Sequence, residues 1–89
     1  MTSLYKAFAS IKSEKEFNNF LTDICTPAEI KALKERWAIA ELLDSGKLSQ
    51  KAIAEKLGAS VATVTRVARF LNNESYGGYR AILSRIHHA

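Results

Sequence analysis

The chain has 89 residues, 47% of them hydrophobic, and a formal net charge of +4, which predicts one small folded domain over residues 1–89 rather than a disordered segment. No run of about 18 apolar residues is present for a membrane span, and the N-terminus lacks the charged-then-apolar pattern of a signal peptide. The single cysteine, Cys25, excludes an internal disulfide and points to a reducing, cytoplasmic setting, while His87 and His88 at the C-terminal end have no partner cluster, so neither a metal nor a cofactor is expected.

Residues 3–12 place Leu4, Ala7, Phe8 and Ile11 on one helical face. Ser13 and Glu16 then have the spacing of a capping box, in which each side chain reaches the other's backbone amide. The helix they open has Phe17, Phe20, Leu21 and Ile24 to bury and ends near Cys25. Thr26-Pro27-Ala28-Glu29 is a stronger start: Thr26 caps, Pro27 takes the first helical position, and Glu29 closes the box. This third helix is expected to run to about Asp44 and to stop at Ser45-Gly46. Its apolar residues (Ile30, Leu33, Trp37, Ala38, Ile39, Ala40, Leu42, Leu43) spread around nearly the whole circumference of its second half. A helix of that kind is covered on more than one side, and in so short a chain the expected cover is a second subunit.

Residues 49–72 read as two short helices joined by a tight turn, SQKAIAEKLGASVATVTRVARFLN. Counted from Gln50, Ile53 is fourth, small Ala54 fifth, Leu57 eighth, Gly58 ninth, Val64 fifteenth and Val67 eighteenth, which is helix-turn-helix spacing. Helices that cross at a wide angle meet at one point, and a small residue such as Ala54 allows the approach. Gly58 supplies the positive φ that ends the first helix, and Ser60 stands where the second helix needs its N-cap. The segment from Val61 to Val67 is rich in β-branched residues and has strand propensity. The three- and four-residue recurrence of Val61, Val64, Val67 and Leu71 favours a helix. Burying the inside of the pair leaves Ala62, Thr63, Thr65, Arg66 and Arg69 to face outward. Helix-turn-helix units also serve as plain core structure and as protein-binding modules, so the shape alone does not decide among them.

After a polar, glycine-containing loop over residues 72–78, a last helix from Tyr79 carries Tyr79, Ile82, Leu83 and Ile86 on one face. The expected fold is thus all-α, with about six short helices. Charge is uneven along it. Residues 1–48 carry seven basic and seven acidic side chains, whereas residues 49–89 carry six basic against two acidic. The net positive charge therefore lies with the helix-turn-helix and the residues C-terminal to it, the footprint of a phosphate-backbone partner. No nucleophile–base set, glycine-rich phosphate loop or recognisable carboxylate pair suggests an enzyme.

Cys25-Thr26-Pro27-Ala28-Glu29, Ala32-Leu33, Arg36, Leu48-Ser49-Gln50-Lys51 and Leu57-Gly58-Ala59-Ser60-Val61-Ala62-Thr63-Val64-Thr65-Arg66 together resemble the Trp repressor superfamily. The short N-terminus, Leu71-Asn72 and Gly77-Gly78-Tyr79-Arg80 are more similar to its YerC/YecD-type branch. The resemblance implies an intertwined homodimer of six-helix subunits whose two heads enter successive major grooves of a palindromic site. It also implies that Gln50, Lys51, Ala54, Val61, Ala62, Thr63 and Thr65 face DNA. Thr26, Arg36 and Arg66 match positions that line the corepressor pocket of tryptophan-binding members, but Val67 replaces the pocket glycine and Phe70 a small serine one turn later. Forcing an indole into a slot already filled in this way costs about 1–3 kcal/mol. The expectation is that Phe70, with Trp37, fills the former pocket from within and that tryptophan is not the effector.

The function expected is a sequence-specific DNA-binding transcriptional regulator, repressor-like, acting on double-stranded DNA as a homodimer. The alternatives are a protein–protein adaptor using the helix-turn-helix face, or a sensor of a different small molecule.

Overall fold

Three serines and a threonine set where the helices begin. In the computed structural model, which describes residues 1–88 and so leaves only Ala89 of the expected domain outside, Ser13, Ser49 and Ser60 each accept from the amide three residues on, at 3.1 Å. Thr26 does the same for Glu29 at 3.2 Å, and Glu29 returns the bond by accepting from the Thr26 amide at 2.8 Å, a complete capping box. The box expected at Ser13 is shifted. Glu16 accepts from the backbone amide of Lys12 at 3.2 Å, one residue earlier than the spacing suggests.

These caps open the second to the fifth of the six helices among the described residues: α1 (Leu4–Ala9), α2 (Glu14–Ile24), α3 (Pro27–Ser45), α4 (Gln50–Leu57), α5 (Val61–Asn72) and α6 (Gly78–His87). Ser3 caps α1 in the same manner. No strand occurs among the described residues, so the chain is all-α. The β-branched run from Val61 lies in α5, where side-chain periodicity and the Ser60 cap prevail over strand propensity. The sixth helix begins one residue before the expected Tyr79, after Gly77 with φ +69°.

The helices form two compact units, Met1–Ala32 and Leu33–Ala89, divided within α3. In the first, Phe8 meets Phe17 and Phe20 with ring centroids 5.5 and 5.6 Å apart. Neither α1 nor α2 has a fully buried residue. In the second, Ile39 and Ala40 of α3 join Ile53, Ala54, Val64, Val67, Leu71 and Leu83 in one buried cluster, flanked by Trp37, Leu42, Leu43, Leu57 and Tyr79. This core fixes α4 against α5 and α5 against α6.

Two ends of α6 are fastened to α3. Asp44 accepts from Arg80 at 2.9 Å and pairs with His88 at 2.6 Å, and Glu41 pairs with His87 at 2.6 Å. The two C-terminal histidines thus meet acidic residues three apart on α3. The His88 hydrogen bond, helped by the charges of His88, Arg80 and His87, holds the Asp44 carboxyl below the usual carboxylate range.

Candidate nucleic-acid interface

The head is built around one tight turn. Gly58 ends α4 in the left-handed conformation at φ +64°, and the amide of Ala59 then closes back on the Ala54 carbonyl at 3.0 Å. A Cβ at Gly58 would meet no atom within 4 Å, so it is the backbone conformation, not space, that asks for glycine. Ser60 follows with extended backbone and accepts from the Thr63 amide, starting α5 after only three intervening residues, Gly58-Ala59-Ser60.

Ala54 is 5% exposed and lies in the buried cluster with Val64 and Val67. This corrects the expectation that it faces DNA: its small side chain belongs to the helix crossing. The other expected contact residues are accessible. Gln50, Lys51, Val61, Ala62, Thr65, Arg66 and Arg69 are exposed, and Thr63 is half-buried. Val61, at 55%, is a large apolar side chain left in solvent at the first position of α5.

Hydrogen bonds already organise part of this face. The hydroxyls of Ser60 and Thr63 lie 2.8 Å apart, and the Thr65 hydroxyl donates to Gln50 Oε1 at 3.2 Å, joining α5 to the start of α4. Arg69 sits differently. Its Nε and Nη2 donate to Glu74 Oε1 at 2.9 and 2.6 Å, so its charge is turned to the loop after α5. Among the described residues the ion pairs involve Arg69, Arg80, His87 and His88, which leaves Lys51, Lys56 and Arg66 as unpaired cations on the head. An α-helix N-terminus with unsatisfied amides and a positive dipole end, set among unpaired cations, suits a phosphate backbone.

Behind α5 is a cavity of about 650 Å³ lined by Leu33, Arg36, Trp37, Arg66, Val67, Phe70, Tyr76, Gly78, Tyr79 and Ile82. It brings together Arg36, Arg66, Val67 and Phe70 of the expected pocket set. Thr26, the remaining member, belongs to Met1–Ala32 and is occupied as the cap of α3. The expectation that Phe70 fills this space is corrected. Val67 is buried, and Phe70 stays on the wall because its ring stacks on Tyr76 with centroids 6.3 Å apart and carries the Arg66 guanidinium at 4.6 Å. Tyr76 is the wall residue that sequence reading passed over, since it sits in a polar loop. Its one sequence signal is an aromatic six positions after Phe70.

Comparison with known proteins agrees with this geometry. The family described as Trp repressor protein matches residues 1–87. The uncharacterized protein YerC of Bacillus subtilis is 37% identical over 78 residues, covering 85% of this chain and 74% of that protein. A Trp operon repressor homolog of Vibrio vulnificus is 39% identical over 62 residues, covering 70% of this chain and 61% of that protein. The crystal structure of a TrpR-like protein from Eubacterium eligens superimposes with a TM-score of 0.84 at 38% identity, covering 93% of this chain and 84% of that one. With its capped helix-turn-helix head and its net positive half, the chain belongs to the Trp repressor family, a family of DNA-binding transcriptional regulators and not of enzymes.

Proposed function

We propose that the protein is a sequence-specific, repressor-like regulator that binds a palindromic site in double-stranded DNA as a homodimer, with residues 1–89 acting as one helix-turn-helix domain in the cytoplasm. The observation that carries the reading is the outer face of α4 and α5, where Gln50, Lys51, Val61, Ala62, Thr63, Thr65 and Arg66 are accessible beside the capped start of α5. Val61 and Ala62 suit a thymine methyl, Thr63 a base edge or phosphate, and Lys51 and Arg66 the backbone. Arg69, tied to Glu74, contributes charge at the far end of α5.

A second copy is supported by the apolar side chains left in solvent: Leu4, Phe17 and Ile24 in the first unit, Leu33, Ile82 and Ile86 in the second. Selection of bound sequences from a random duplex pool tests the reading. Two half-sites roughly 10–10.5 base pairs apart are expected. Absence of any enriched duplex at low salt would sink it and favour an adaptor that uses the same face for protein contacts.

Tryptophan is not the switch in this proposal. Arg66 and Phe70, which an amino acid would meet in the cavity, already engage each other, and Phe70 also engages Tyr76. Calorimetric titration with L-tryptophan is expected to show no micromolar binding. One observation favours a second reading, in which the head answers to another small molecule: the cavity of about 650 Å³ has two arginines, Arg36 and Arg66, among aromatic walls.

A further inference from the structure

Gln50 is the first residue of α4, and Thr65 stands in the second turn of α5. Both are exposed, and the hydrogen bond between them spans fifteen residues of sequence. Its polarity matters. A threonine hydroxyl has one hydrogen and two acceptor lone pairs, whereas a carboxamide has one acceptor oxygen and an NH₂ with two donors. The Thr65 hydrogen is spent on Gln50 Oε1. Gln50 is therefore left with its donors free, and Thr65 with lone pairs only.

Phosphate oxygens accept and do not donate. A carboxamide free to rotate about its last bond populates both orientations before binding, and only the one with NH₂ outward can donate to a phosphate. The bond from Thr65 removes that choice. We propose that Thr65 is a positioning residue: it fixes the Gln50 carboxamide with NH₂ outward as a sequence-independent phosphate clamp, and does not itself read a base. The proposal rests on the DNA-binding reading above, and it separates Thr65 from Val61, Ala62 and Thr63 on the same helix.

The test is a double-mutant cycle of Gln50→Ala and Thr65→Val, read as affinity for a random-sequence 30-base-pair duplex pool, with Thr65→Ser as the conservative variant. Valine keeps the shape of threonine and loses only the hydroxyl. Thr65→Val is expected to weaken pool binding about two- to tenfold, as the loss of one neutral hydrogen bond would. Thr65→Ser should bind as the parent does. On the Gln50→Ala background, Thr65→Val should cost nothing more, and the sequence selected from the pool should stay the same. The slope of affinity with salt should also stay the same, because the clamp is neutral and displaces no counterion.

Additive losses, parental affinity in Thr65→Val, or a changed sequence preference would each overturn the proposal, the last by making Thr65 a base-reading residue. Failure of the parent protein to bind the pool at low salt would overturn the DNA-binding reading and this inference with it, a result distinct from the other three.

Discussion

Neither α1 nor α2 contains a buried residue, whereas α5 alone contributes Val64, Val67, Ala68 and Leu71 to the core. Both regions are amphipathic helices with side-chain N-caps, so local signals do not separate them. Packing does. The head in Leu33–Ala89 closes its own core through Ile39, Ile53, Val64, Val67 and Leu83, all nearly inaccessible. In Met1–Ala32 three phenylalanines meet, yet Leu4, Phe17 and Ile24 keep much of their surface in water. Isolated helices this short are marginal, and tertiary cover supplies most helical stability. The difference teaches that one part of the chain closes a core of its own, while the other brings helices together without burying a residue fully.

Ile53→Ala breaks the self-sufficient part most directly. Ile53 is fully buried where α4 meets the core, and its truncation is expected to cost about 2–5 kcal/mol in urea unfolding. The variant should shift the midpoint equally at low and high protein concentration. Phe17→Asp addresses the other part. It should remove about 1.5–3 kcal/mol of apolar burial, shared between the packing on Phe8 and the contact proposed with a second copy. Sedimentation should then report a fall from twice the chain mass towards the chain mass, with the head still folded. An unchanged mass would mean that Phe17 lies outside the contact between copies.

Gly58→Ala is a smaller probe of the head. With open space around the missing Cβ, its expected cost of about 1–2 kcal/mol comes from the left-handed backbone alone. Gly78→Ala is the control: it sits in the first turn of α6 without positive φ and with equal space, and should leave stability unchanged or raise it.

The smallest effect concerns the first unit and pH. Hydrogen bonds from the backbone and side chain of Thr26 hold the Glu29 carboxyl below its ordinary value of 4.5. A carboxyl depressed in the folded state binds its proton more readily when unfolded. Its contribution is therefore present above the ordinary value and is lost as pH falls through the folded one. Thermal unfolding between pH 7 and pH 3 should show a shallower acid-side decline in Glu29→Gln, which also starts from a lower midpoint at neutral pH.

What could be read from the sequence was what lies within one turn of chain. Thr26 and Glu29, Ser49, Gly58 and Ser60 act on backbone amides or carbonyls three or four residues away, so their spacing is enough to place α3, α4 and α5. Contacts that depend on where whole helices come to rest were not legible. His87 and His88 find Glu41 and Asp44 from more than forty residues away, and Tyr76 reaches Phe70 only because the loop turns back. Ala54 shows the boundary between the two. Its size marks it as a crossing residue, its place in a family pattern marks it as a DNA contact, and burial decides for the crossing. Val67 and Phe70 are a similar case. Their volume suggests a filled pocket, but the direction of the Phe70 ring, set by Tyr76 and Arg66, leaves room beside it.

Asp44 takes hydrogen bonds from Arg80 in the first turn of α6 and from His88 just past its last, so one carboxylate answers for both ends of that helix. A helix held at one end frays from the other, amide by amide. One held at both ends opens as a block or not at all, so native-state hydrogen exchange along α6 should show neighbouring amides sharing one opening free energy. Asp44→Asn combined with Glu41→Gln, which keeps the shapes, loses the charges and frees His87 as well, should convert that shared value into a gradient from each end inward.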